Sequence, residues 1–218
     1  MRPSLAATLL LACAACAGGP AETPWSECFD GANLAPWEVT DFGGQGPVAV
    51  AGGCIELGFG SPLTGITYTG TPPSGSYELA VRAARVEGRD FFCGLTFPVR
   101  DAHLTLVLGG WGGSLVGLSS LDGKDAARNE TRTSHAFEQG RVYDIRVVVT
   151  PERVTVALDG AAKIDADLRG RELGLRPEVL LSRPLGIASF TTRSAIHSVR
   201  WRPLGTALAS GDSHDRTR

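Results

Sequence analysis

Apolar residues recur along this chain at every second position, in short runs broken by Gly, Pro, Asn and Asp. Over residues 91–99, Phe91, Cys93, Leu95, Phe97 and Val99 share one parity and Gly94 and Thr96 the other. Over 103–108, Leu104, Leu106 and Leu108 point one way, His103 and Thr105 the other. Side chains alternate across a strand, so this period of two predicts strands with a single core face. The clearest hairpin is VYDIRVVVTPERVTVALDG. Tyr143, Ile145, Val147 and Val149 alternate with Asp144 and Arg146, 150–153 turn the chain, and Val154, Val156 and Leu158 return it. Asp159-Gly160 then turns into a further strand at 163–167.

Shorter strand signals cover 37–41, 47–51, 54–58, 65–69 and 77–86, and two closing strands cover 185–192 and 195–202. In 77–86, Arg82 shares the polar face with Glu78, while Arg85 breaks the parity, which predicts a bulge near the strand end. Only 170–180 has weak helical character, limited by Pro177. There is no βαβ rhythm and no repeat. The pattern predicts an all-β antiparallel sandwich with little helix.

Composition agrees. The chain has 218 residues, 43% hydrophobic and 20% charged, with 28 glycines for turns. This suffices for one domain with a sizeable core. A formal net charge of −2 argues against a nucleic-acid partner. No apolar run is long enough for a mature transmembrane helix.

Residues 1–16 read as a lipoprotein-type signal: Arg2 is the charged start, Leu5 to Ala12 the apolar run, and Cys13 and Cys16 follow among small residues. Cys13 matches the lipidation pattern better; Cys16 gives the better signal length and is preferred. A plain secretory signal cut near 17–19 is the alternative. Each reading expects an extracytoplasmic protein, secreted or lipid-anchored to the cell envelope. Residues 17–27 read as a tether, 28–203 as one domain and 204–218 as a disordered tail. Of the remaining cysteines, Cys28 and Cys54 sit near turns and are expected to pair. Cys93 has core parity and is expected to be a buried, inert thiol.

Candidate chemistry gathers between 82 and 131. Trp111 lies in Gly109-Gly110-Trp111-Gly112-Gly113, where an exposed ring can stack on a sugar face or fold onto the sandwich edge. Asp122, Asp125, Asn129 and Glu130 are oxygen donors for a divalent metal such as calcium, or for sugar hydroxyls; a solvated loop is the plainer reading. His103 faces away from the core strip as a candidate base, or as an edge histidine. Asp90 is a second candidate base, or half of a turn pair. Arg82 and Arg183 are candidates for holding oxygen atoms. GxSxG, HExxH, paired CxxC and P-loop motifs are absent, so serine hydrolase, zinc peptidase and nucleotide enzyme readings lack support.

Three segments, FDGANLAPWEV, SYELAVRAARVEGRDFFCGLTFPV and RVYDIRVVVTPERVTVALDG, resemble 3-keto-disaccharide hydrolase domains of the laminin-G and concanavalin-like group. The likeness would span about 25–203. GGWGGSLVGLSSLDGKDAARNET departs from the usual middle of those domains. The resemblance implies a concanavalin-like jelly roll cleaving the glycosidic bond of a 3-keto-glycoside, with no obvious protein partner. In that chemistry His103 or Asp90 is the base and Arg82 the oxyanion partner. Trp111, Arg183 and Asn129 bind substrate, and Asp122, Asp125 and Glu130 hold a metal, if one is used. The alternatives are a non-catalytic saccharide-binding domain and a structural or protein-interaction module of the envelope.

Overall fold

A computed structural model describes residues 23–205. The signal, both candidate lipidation cysteines, residues 17–22 of the tether and residues 206–218 of the tail lie outside the described residues.

Fifteen strands are present among them: β1 Ser26–Glu27, β2 Trp37–Val39, β3 Val48–Ala51, β4 Cys54–Leu57, β5 Leu63–Tyr68, β6 Tyr77–Gly88, β7 Cys93–Val99, β8 Ala102–Gly109, β9 Leu115–Ser119, β10 Thr133–Ser134, β11 Val142–Val149, β12 Arg153–Leu158, β13 Ala161–Asp167, β14 Gly186–Phe190 and β15 Thr192–Pro203. The first sheet runs β13-β12-β11-β6-β15-β4-β3, with β1 also paired to β15; the second runs β10-β9-β8-β7-β14-β5-β2. Every strand pair is antiparallel.

The inward residues of both sheets form one core. Tyr143, Ile145, Val147 and Val149 of β11 meet Leu95, Phe97, Leu104 and Leu106 of β7 and β8 in a single buried cluster. The alternation read in the sequence is this inner face. Trp37 is buried and its indole N–H donates to the Cys28 carbonyl at 2.7 Å. Burying a large ring at little polar cost requires such a partner.

The bulge expected near Arg85 is present: Arg193 faces Glu87 and Ser194 faces Arg85, so Val86 is the extra residue. It does not turn Arg85 out to solvent, for the side chain stays buried. Sequence parity missed β9. All five of its residues are buried, because Val116 and Leu118 face the core while Ala126 lies against the opposite face at Gly117. A strand covered on both sides shows no polar alternation. The weak helical signal is a 3₁₀ turn over Pro177–Ser182, and Pro177 opens it rather than ending it.

Cys28, Cys54 and Cys93 are all free thiols, so the expected Cys28–Cys54 bridge is corrected. Cys28 is packed into the core beside Tyr68, and Cys54 turns back on its own hairpin, 3.1 Å from the Ala51 carbonyl oxygen. Burial pushes the Cys28 thiol up to about 11 and that of Cys93, as expected for an inert thiol, up to about 12.

Candidate functional site

The outer face of the second sheet carries small side chains along its middle: Gly94 and Thr96 of β7, Thr105 of β8, Gly117 of β9 and Ala188 of β14 alternate with the core residues. Larger groups rise around them, and a cavity of about 410 Å³ results. Its floor is Thr105, Val107, Ser119, Leu63 and Phe190. Its walls are Asp90 and Phe91 before β7, Trp111 in the β8–β9 turn, Asp125 and Arg128 in the following loop, and Arg176, Glu178 and Val179 at the 3₁₀ turn. The rings of Phe91 and Phe190 pack 5.6 Å apart.

Trp111 is 48% exposed, its backbone held at φ 48°, ψ 57°, and Gly109, Gly112 and Gly113 of the same turn also have positive φ. A tryptophan there requires the turn to be held by other contacts, because left-handed backbone is unfavourable for it.

The carboxylates in the cavity differ in their partners. Arg176 meets Asp125 at 3.2 Å and Glu178 at 2.8 Å. It holds the Glu178 carboxyl below the usual range. Arg128 is mostly exposed and approaches Asp125 only at 3.9 Å. Asp90 accepts the Phe91 backbone N–H at 2.7 Å and makes no ion pair among the described residues. Its own N–H donates to the Thr192 hydroxyl, which anchors the wall to β15.

The structure brings Asp90, Trp111 and Asp125 to one cavity and scatters the other sequence candidates. Arg82 lies on β6 of the opposite sheet, exposed and paired with Asp144 at 3.1 Å, so it cannot join His103 or the acidic loop. Its parity was read correctly, but the outer faces of two different sheets point away from each other. His103 faces outward on β8 beyond Thr105 and does not line the cavity; burial and the Arg183 charge hold its pKa below the ordinary 6.5. Arg183 ends the 3₁₀ turn, donating to the Leu180 carbonyl at 3.0 Å, also outside the cavity.

Asn129 is no ligand-facing group. Its amide donates to the carbonyls of Leu118, Asp125 and Lys124, at 2.8, 2.9 and 3.2 Å, and its oxygen accepts from Thr131 N–H and hydroxyl, at 3.0 and 2.6 Å. It fastens the 120–132 loop to β9.

The three proposed metal ligands are also corrected. Arg171 stands between Asp122, at 2.7 Å, and Glu130, while Asp125 belongs to Arg176. Among the described residues no group of three His, Cys, Asp or Glu side chains is arranged to hold a metal. The oxygen cluster is real, but guanidinium groups from a distant segment neutralise it. Sequence reading missed Arg128, Arg176 and Glu178; neither an arginine in a polar loop nor a charged pair flanking Pro177 carries a local signal of a cavity.

No family model matches this chain, and no curated protein does. Solved structures do. The Crh5 transglycosylase aligns with a TM-score of 0.59 at 15% identity, covering 85% of this chain and 85% of that one. The Emp47p carbohydrate recognition domain aligns with 0.54 at 13% identity, covering 85% and 99%. SCLam, a non-specific endo-beta-1,3(4)-glucanase from family GH16, aligns with 0.52 at 13% identity, covering 85% and 95%. These likenesses assign the chain to no family, and they establish its fold as a concanavalin-like jelly-roll β-sandwich.

Proposed function

We propose that this chain is a carbohydrate-active domain that takes a saccharide in the cavity on the second sheet and cleaves 3-keto-glycosides there. The observation that carries the reading is the cavity itself: an exposed tryptophan rim, two further rings, and one carboxylate, Asp90, without an ion pair. Sugar C–H faces stack on such rings, and hydroxyls bond to the polar walls. The Crh5 transglycosylase, solved also with NAG, and the glucanase share the fold, which supports a saccharide as occupant.

The chemistry follows from the carboxylates. Ordinary glycoside hydrolysis uses two carboxyl groups, one of them protonated. Glu178 is held ionised and Asp125 is engaged by Arg176, so neither suits a general acid. A 3-keto sugar requires less. Its C2 proton is already acidic, and one base suffices. In this reading Asp90 removes that proton. The C2–H electrons pass into the 3-keto group as an enolate and return to form the C1–C2 double bond, expelling the aglycone oxygen, which takes the proton that Asp90 removed. Water then adds across the double bond to complete hydrolysis. Arg128 at the rim replaces Arg82 as the group facing the developing enolate oxygen.

Incubation with a 3-keto-glucoside, followed by detection of released aglycone, tests this. Release that is lost in Asp90→Asn is the expected result; no release across a broad pH range would overturn the enzyme reading. A second reading, binding without turnover, is favoured by the engagement of Asp125 and Glu178 with Arg176. It expects glycan-array signals that Trp111→Ala abolishes and Asp90→Asn leaves. Envelope attachment through Cys16 or Cys13 belongs to the same proposal, and incorporation of labelled palmitate tests it.

A further inference from the structure

We propose that Arg85 is the positioning residue of the site, holding Trp111 in its sugar-stacking pose from inside the sandwich. The inference rests on the saccharide reading of the cavity for its purpose, though not for its geometry. Arg85 is 6% exposed on β6 of the first sheet. Its guanidinium crosses to the second sheet, where one terminal nitrogen donates to the carbonyls of Gly113, at 2.6 Å, and Gly109, at 3.4 Å. These two residues bracket the turn that presents Trp111. The rings of Phe92 and Phe137 cover the guanidinium at 5.5 and 5.7 Å.

A buried cation normally has a carboxylate partner, because desolvation is costly. Arg85 has no salt bridge among the described residues, and its Nε makes no hydrogen bond. Its buried polar contacts are carbonyls of this one turn. The turn needs the help. Trp111, Gly112 and Gly113 all have positive φ, and a tryptophan in left-handed backbone is unfavourable. The fit is close in both directions: a Cβ at Gly109 would lie 2.3 Å from the guanidinium nitrogen, and one at Gly113 would lie 3.3 Å from the other. Gly109 and Gly113 thus serve two purposes, turn geometry and room for Arg85.

The test combines a ligand-free signal with binding. Protein labelled with 5-fluorotryptophan is compared as wild type, Arg85→Met and Arg85→Lys, with the Trp111 resonance assigned through Trp111→Phe. Arg85→Met is expected to move the Trp111 resonance towards that of free tryptophan and leave that of buried Trp37 in place; Arg85→Lys, which can reach one carbonyl, is expected to fall between. A Trp111 resonance unchanged in Arg85→Met would overturn the proposal, as would equal movement of Trp37, which marks general loosening. If Arg85→Met does not fold, Arg85→Lys carries the same test. For a saccharide identified on the glycan array, Arg85→Met is expected to weaken binding about tenfold, and no further in a Trp111→Ala background. Additive losses would mean that Arg85 does not act through Trp111. If wild type binds no glycan, the saccharide reading fails while the fluorine result still decides the role of Arg85.

Discussion

Replacing Asn129 with alanine separates two roles for this residue, saccharide ligand and loop fastener. The side chain is 8% exposed and takes part in five hydrogen bonds, three given to carbonyls and two accepted from Thr131. Each such bond contributes about 0.5–1.5 kcal/mol net, and buried groups left unpaired cost more. Relaxation and entering water recover part of the sum, so a loss of about 3–4 kcal/mol is expected for Asn129→Ala. In a domain of this size that lowers Tm by roughly 6–16 °C. Asn129→Asp keeps the accepted bonds but sets a carboxylate against the carbonyl oxygens of Leu118, Lys124 and Asp125, and is expected to cost at least as much. Urea denaturation followed by tryptophan fluorescence measures both. Stability within about 0.5 kcal/mol of wild type, together with lost saccharide binding, would refute the reasoning and return Asn129 to the ligand-binding set.

Three further outcomes are expected. Iodoacetamide is expected to alkylate Cys28, Cys54 and Cys93 in denaturant without reductant and to spare all three in the native protein; a peptide joining Cys28 to Cys54 in mass spectrometry would contradict the free thiols. Calcium is expected to leave the Tm of wild type unchanged, because Arg171 already neutralises Asp122 and Glu130, whereas Arg171→Ala lowers Tm through their repulsion; a calcium-dependent rise in wild-type Tm would return the loop to metal binding. Acidification is expected to destabilise in two steps. Burial, aided by neighbouring cations, holds His103, His135 and His197 below the ordinary 6.5, so below that pH the unfolded chain takes up protons the folded one refuses, and stability falls as pH falls. Below about pH 4.5 the depressed carboxyls of Asp122, Glu130 and Glu178 add their loss. The urea midpoint should therefore drop between about pH 7.5 and about pH 5.5, with a shallower slope in His103→Asn; a higher midpoint at the acid end would refute the assignment.

The strands that carry one core face were legible because burial of alternate side chains is a local property. Leu104, Leu106 and Leu108 could be read as inward from their spacing alone, and Arg85 as a break in that spacing. Strand β9 was not legible, because a loop covers its second face and removes the polar half of the alternation. Among the candidate residues, Asp90 and Trp111 line one cavity because they sit in loops on either side of β7 and β8. Arg82 and Asp90 show why the rest failed. They are near neighbours in sequence, yet the chain passes from the first sheet to the second between them, and their side chains end on opposite faces of the sandwich.

The acidic loop makes the same point in charge rather than direction. Four oxygen-bearing residues between 122 and 130 read alike in sequence. The tertiary structure sorts them: Arg171 neutralises Asp122 and Glu130, Arg176 engages Asp125 at the cavity wall, and Asn129 closes on its own backbone. Those arginines lie more than forty residues along the chain from their carboxylates. The all-β character, most strands and the turn that presents Trp111 follow from local sequence, since side-chain parity and glycine conformation act over a few residues. Which charges meet, which stay unpaired and which ring faces an open cavity were decided only by the stacking of two sheets, because ion pairs and cavities form between segments that no local pattern connects.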